Sequence, residues 1–224
     1  MKPVQDSRPS RSQATNIVGP IARWYARQRG SAPQLAEVRS AATRLTEALP
    51  AHADILEVAP GPGYLAVELS RRGFQVAALD ISQSFVTMVA DRARDAGVRV
   101  DVRQGDAALL PFDTESFDMI ICQAAFKNFG RPTDVLDEMH RVLRPGGIAV
   151  IEDMNSEATT ADIDREVGSM GLGRLASVMT KVPLMGLRRR AYSPAEFRRL
   201  ADGSPFDTCD ITTEGIGMAV RLTR

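Results

Sequence analysis

The stretch Ile55-Leu56-Glu57-Val58-Ala59-Pro60-Gly61-Pro62-Gly63-Tyr64 constrains the fold of this chain more than any other. It reads as a buried strand that runs into a glycine-rich turn and then a helix. A second apolar run, Val76-Ala77-Ala78-Leu79, ends in Asp80. Strand, tight turn opening a helix, and second strand closing on an acid are the layout of a nucleoside-binding α/β unit. Gly61 and Gly63 let the backbone come close to a ligand, and the helix start beyond them supplies unpaired N–H groups. Asp80 is placed to accept hydrogen bonds from two ribose hydroxyls.

Two details bear on which nucleoside. A dinucleotide fingerprint carries three glycines, the third allowing close packing of helix on strand. Here Ala66 stands at the third position, which that fingerprint sometimes tolerates. Glu57 is the stronger detail. An acid inside the first strand, directed at the ligand, would repel a pyrophosphate but suit a ligand with an amino group and a sulfonium. S-adenosylmethionine is thereby favoured over a nicotinamide dinucleotide.

At this point the chain resembles the class I S-adenosylmethionine-dependent methyltransferases, in particular the small-molecule type related to the ubiquinone/menaquinone-biosynthesis enzymes. The resemblance runs in order from Ile55 to about Asn155. It includes Glu57-Val58-Ala59-Pro60-Gly61-Pro62-Gly63, Leu79-Asp80-Ile81-Ser82, Gly105-Asp106-Ala107, Pro111-Phe112, Phe117-Asp118 and Arg141-Val142-Leu143-Arg144-Pro145-Gly146-Gly147. Ala59 departs from it, since the family often has glycine there. The turn is expected to survive that change, with a slightly altered pocket for the methionine end.

Acidic and basic residues balance at 28 each, so no strong field favours nucleic acid or an anionic membrane. Apolar runs are too short to span a bilayer, and the polar start lacks an apolar signal core. Only Cys122 and Cys209 are present, which implies no disulfide framework and fits a reducing cytoplasm. A soluble cytoplasmic protein is expected, as monomer or homodimer.

Residues 1–15 read as a disordered tail and 16–224 as one domain. Within it, 16–50 form N-terminal lid helices, one of them carrying Trp24 and Tyr25, and 51–156 the cofactor-binding core. A helical lid insert spans 157–192, interrupted by Gly171, Gly173, Pro183 and Gly186, and 193–224 a helix and hairpin. In the core, strands are expected at 54–59, 75–80, 98–103, 117–123 and 147–153, with helices near 63–72, 82–96 and 132–143. Such alternation predicts an α/β fold with a mostly parallel, doubly wound sheet. Two further strands near 206–213 and 215–223 would make it seven-stranded, and the resemblance implies that this pair is antiparallel.

The cofactor set is Glu57, Ala59, Gly61, Gly63, Asp80, Ile81, Phe85, Asp106, Ala107 and Gln123. Ile81 and Phe85 either flank the adenine or belong to the core. Asp106 either accepts from the adenine amine or closes an Asx turn. Lys127 and Asn128 either face the acceptor or form a solvated pair. With Tyr25 they are the catalytic candidates, and the sequence shows no dedicated base. Tyr25, Phe126, Met179 and Met185 are the expected lining of an apolar acceptor pocket. Cys122 reads as inert core, His52 and His140 carry no catalytic assignment, and no metal site is expected. Arg188-Arg189-Arg190 reads as a solvated patch. The function expected is methyl transfer to a small organic acceptor. A nicotinamide-dependent oxidoreductase is disfavoured by Glu57 and the lack of a Tyr-x-x-x-Lys pair; a catalytically silent cofactor-binding protein stays open.

Overall fold

The computed structural model describes Ala26, residues 30–169 and 174–224, the last from 174 to 179 as backbone. Seven strands form one sheet: β1 Asp54–Val58, β2 Gln75–Asp80, β3 Val100–Gln104, β4 Phe117–Gln123, β5 Leu143–Met154, β6 Thr208–Glu214 and β7 Gly217–Thr223. Their order is β3-β2-β1-β4-β5-β7-β6, with β1 to β5 parallel and β7 antiparallel to both its neighbours. The expected doubly wound sheet with a C-terminal antiparallel hairpin is present.

Seven α-helices lie among the described residues: α1 Ala32–Thr46, α2 Tyr64–Arg71, α3 Gln83–Asp95, α4 Pro132–Val142, α5 Thr160–Ser169, α6 Arg174–Arg190 and α7 Pro194–Asp202. Alternate side chains along each strand go to opposite layers. Ile55, Ala78, Met119, Ile121 and Val150 pack under α1, α2 and α3 through Leu45, Leu65, Leu69 and Val89. Leu56, Leu79, Ile120 and Ile151 pack instead under α4 and α7, against Val135, Leu136, Met139 and Phe197. The apolar runs are continuous because both faces of the central strands are covered. Gly73 and Gly97 follow α2 and α3 at φ +92° and +67°, the left-handed geometry of a helix stop.

Two elements depart most from expectation. β5 starts at Leu143 rather than 147, because Leu143 pairs with Phe117 before a register shift brings Ile148 against Met119. The Arg144-Pro145-Gly146-Gly147 run is that irregularity, with Gly146 at φ +79°. Helix α6 continues through Pro183 and Gly186 instead of breaking there. It packs on α5, where Lys181 pairs with Asp164, and Arg188 donates to the Ala158 carbonyl at 3.0 Å. One arginine of the basic run is thus structural rather than solvated. The N-terminal tail, most of the first lid helix with Trp24 and Tyr25, and Met170, Gly171 and Gly173 lie outside the described residues.

Helix α7 starts with a full capping box. Ser193 Oγ accepts from Glu196 N at 3.2 Å, and the Glu196 carboxylate accepts from Ser193 N at 2.9 Å. Ser193→Ala is expected to lower unfolding free energy by about 1 kcal/mol in a denaturant titration. No change would show that α7 holds its start by packing alone.

Candidate functional site

Between β1 and α2 the chain turns through three left-handed residues, Ala59 (φ +56°), Gly61 (φ +54°) and Gly63 (φ +77°). Gly63 is obligatory for a second reason, since a Cβ there would sit 2.6 Å from Val89 Cγ2. Ala59 holds its conformation by donating to the Leu79 carbonyl at 2.8 Å, against an intrinsic cost of roughly 1–2 kcal/mol for an L-residue. The turn therefore forms without the family's glycine, as expected.

Asp80 closes this turn from β2. Its carboxylate accepts from Gly61 N at 3.2 Å and from Ser82 N at 2.8 Å, and its carbonyl accepts from Gly105 N at 3.1 Å. One acid thus ties the ends of β1, β2 and β3 together. Each carboxylate oxygen keeps a further lone pair, which is the capacity a vicinal diol needs. Asp80 is 5% exposed. Burial pushes its pKa up to about 6, against the two backbone hydrogen bonds that lower it. Glu57, 3% exposed, lies on the same side of the sheet as Asp80, since Ile55 and Ala78 both belong to the α1–α3 layer. Two buried acids at the strand ends, beside a helix start and a glycine turn, favour a ligand that brings positive charge and hydroxyl donors.

Two residues that motif reading passed over brace the turn. Arg92 of α3 donates to the Pro62 carbonyl at 3.0 Å and lies 3.7 Å over the Tyr64 ring. Tyr64 donates its hydroxyl to the Ala26 carbonyl at 2.9 Å, fastening the segment before α1 to the start of α2. Arg92 acts from another helix, so no local spacing announces it.

The adenine-end candidates separate. Ile81 is 42% exposed at the end of β2, whereas Phe85 and Ala107 are buried. Asp106 forms the Asx turn, accepting from Ala108 N at 3.0 Å, and its other oxygen pairs with Arg131 at 2.9 Å on an exposed surface. At the end of β4, Gln123 donates its side-chain amide to Glu152 at 2.7 Å.

Two acceptor-side expectations are corrected. Lys127 is neither solvated nor directed at an acceptor, for its ammonium is 2.6 Å from Asp153 with both side chains 4% exposed. It also donates to the Ala124 carbonyl, and Asp153 accepts from Lys127 N at 2.9 Å. Phe126 is fully buried in an aromatic cluster with Phe129, Tyr192 and Phe197, so it lines no open pocket. Asn128 is half-buried in the short turn that follows, and Met185 is half-buried on α6. Tyr25 and the Met179 side chain lie outside the described residues. Cys122 is fully buried, which pushes its thiol far above the ordinary range and leaves it inert. His52 rests against the Gly73 carbonyl and His140 against the Phe206 ring.

Among the described residues, no group of three or more His, Cys, Asp or Glu is arranged to hold a metal ion. No helix there is long and apolar enough to cross a membrane. A groove of about 590 Å³ opens at the amino ends of the strands, lined by Asp54, Gln75, Arg99, Arg103 and Phe112 among others. Open α/β sheets bind their ligands at the carboxyl ends, where the Asp80 turn lies.

The Lys127–Asp153 pair is desolvated, whereas Lys181–Asp164 is half in water. Lys127→Met is therefore expected to cost about 3–5 kcal/mol of stability, because it leaves a buried carboxylate unpaired. Lys181→Met should cost about 0–1 kcal/mol. Equal losses in urea titrations of the two variants would contradict the buried-pair description.

Comparison with known proteins is consistent with this geometry. Residues 56–151, a little under half of the chain, match the family model described as a methyltransferase domain. The demethylmenaquinone methyltransferase of Deinococcus radiodurans is 41% identical over 101 residues, covering 43% of this chain and 41% of that protein. The ubiquinone/menaquinone biosynthesis C-methyltransferase of Azotobacter vinelandii is 39% identical over 98 residues, 42% of this chain and 39% of that protein. The chain thus spans about two fifths of the length of these curated relatives. Among solved structures, a SAM-dependent methyltransferase from Aquifex aeolicus superposes with a TM-score of 0.69 at 18% identity, over 89% of this chain and 97% of that one. At that identity the likeness concerns the fold alone: residues 56–151 are similar to a methyltransferase domain, and they lie within a seven-stranded fold shared with that solved structure.

Proposed function

We propose that this chain transfers a methyl group from S-adenosylmethionine to a small organic acceptor. One observation carries the reading: the buried Asp80 carboxylate, pinned to the left-handed glycine turn and flanked by buried Glu57. A pyrophosphate would meet the buried Glu57 carboxylate there, whereas a ribose diol and a cationic methionine end would meet two acceptors.

The residues fit such a ligand. Asp80 takes the ribose hydroxyls, and Gly61 and Gly63 give the backbone approach at the helix start. Glu57 faces the cationic end and Gln123 supports it. Ile81, Phe85, Asp106 and Ala107 bound the adenine. S-adenosylmethionine, when bound, supplies a methyl group on a sulfonium with a neutral leaving group. The chain's task is then to hold an acceptor in line and keep water out, and orientation alone can lower a barrier by about 7–11 kcal/mol. Among the described residues, no buried side chain outside the proposed cofactor set stands out as a base, since Lys127 is committed to Asp153.

The acceptor is a small molecule with an electron-rich atom, met by the lid segments on either side of the core. The curated relatives are named for quinone-precursor methylation, which makes an aromatic, largely apolar acceptor the first class to test. Tyr25, Met179 and Met185 are the proposed lining, with Phe126 withdrawn to the core.

Asp80 must be ionised to accept from both hydroxyls. Its pKa of about 6 before ligand binds means that affinity for S-adenosylhomocysteine should rise as pH climbs from 5 to 7. Asp80→Asn should abolish that rise. Asp80→Ala should weaken binding roughly tenfold or more, the loss of hydrogen bonds to a charged group. Titration calorimetry across this pH range is the measurement. Unchanged affinity in Asp80→Ala, or a flat pH profile in the unmodified chain, would overturn the site.

A further inference from the structure

Gln123 is the last residue of β4, on the α1–α3 side of the sheet, as the packing of Ile121 in that layer requires. Its neighbour on β5 is Glu152, and Gln123 Nε2 is 2.7 Å from Glu152 Oε2. A carboxylate only accepts, so the amide nitrogen must be the group turned to Glu152 and the amide oxygen the group turned away. The other carboxylate oxygen of Glu152 pairs with Arg44 of α1 at 2.7 Å. That pairing commits the second of its oxygens. The backbone adds a third tie, since Ala124 N donates to the Glu152 carbonyl at 2.7 Å. On the opposite flank of β4 lies β1, paired Glu57 with Ile121, so the Gln123 level faces the Ala59 turn.

We propose that Arg44 and Glu152 are positioning residues that lock the Gln123 amide with its oxygen toward the Ala59 turn, making it an acceptor for the ammonium of an amino-acid-bearing nucleoside. The proposal rests on the S-adenosylmethionine reading and extends it to residues outside the glycine and acidic motifs. An unlocked glutamine rotates its amide and offers a donor as readily as an acceptor. A locked one distinguishes ligands by the charge of the group it meets. The lock also joins α1, which leads in from the N-terminal segment, to the strand ends that carry the site.

Two ligands separate this role from a merely structural one. S-adenosylhomocysteine carries the amino-acid end, whereas 5′-methylthioadenosine has the same nucleoside and thioether without it. Calorimetry of both with the full chain is the test. Glu152→Ala should weaken S-adenosylhomocysteine about tenfold, one hydrogen bond to a charged group, and leave 5′-methylthioadenosine within about twofold. The unchanged 5′-methylthioadenosine affinity expected in Glu152→Ala controls for loss of folding. Gln123→Ala combined with Glu152→Ala should be no weaker than Gln123→Ala alone, because Glu152 acts through Gln123. Equal loss of both ligands in Glu152→Ala, or additive effects in the double variant, would each overturn the proposal. An unmodified chain that binds neither ligand would overturn the cofactor reading itself, and the proposal with it.

Discussion

Everything at the carboxyl end of this sheet depends on one buried carboxylate. Asp80 accepts from Gly61 in the turn after β1 and from Ser82 at the start of α3, while its backbone oxygen takes Gly105 after β3. Removing the carboxylate would release the turn after β1 and the start of α3 together, leaving only the backbone tie to Gly105. The acid is also in tension with its surroundings. Its folded-state pKa lies near 6, above the ordinary carboxylate value of 3.8, so the folded chain holds a proton there that the unfolded chain has lost. Between about pH 4 and 6 the fold consequently loses stability as pH rises. Hydroxyl donors aimed at the ionised carboxylate reverse that balance, which is how a strained position becomes a binding position.

The remaining constraints gather around the turn after β4. Ala124 in that turn sits at φ +56°, a conformation an L-residue adopts only under constraint. One constraint comes from Glu152, whose carbonyl takes Ala124 N within the plane of the sheet. The other comes from Lys127, whose buried ammonium reaches the Ala124 carbonyl and Asp153 on the face opposite Glu57 and Asp80. Phe126 follows directly and anchors the turn in the Tyr192–Phe197 cluster. Gln123, the residue just before this turn, is held because its successors are.

Much of the cofactor site was legible from spacing. A glycine turn between two strands, with an acid ending the second, is a local pattern, and its parts meet because βαβ connections bring consecutive parallel strands side by side. Glycine stops at Gly73 and Gly97 and the Ser193 cap are local too. What escaped reading depends on distant partners. Lys127 looked like a loop cation because Asp153, which buries it, lies on another strand. Phe126 looked like a pocket wall for the same reason. Arg44 and Arg92 reach the site from helices whose own sequences show only exposed basic positions. The Arg144–Gly147 run read as the approach to a strand, yet Leu143 already pairs across the sheet before the chain bulges. Pro183 read as a break, but α6 runs on through it against α5.

The central claim is that buried Glu57, on the same face as the ribose-side Asp80, selects a cationic nucleoside over a pyrophosphate-bearing one. Direct titration of the unmodified chain with S-adenosylmethionine and with NAD at neutral pH and low salt tests it most plainly. S-adenosylmethionine should bind at least tenfold more tightly, a difference of about 1.4 kcal/mol or more. Equal or tighter binding of NAD would contradict the account.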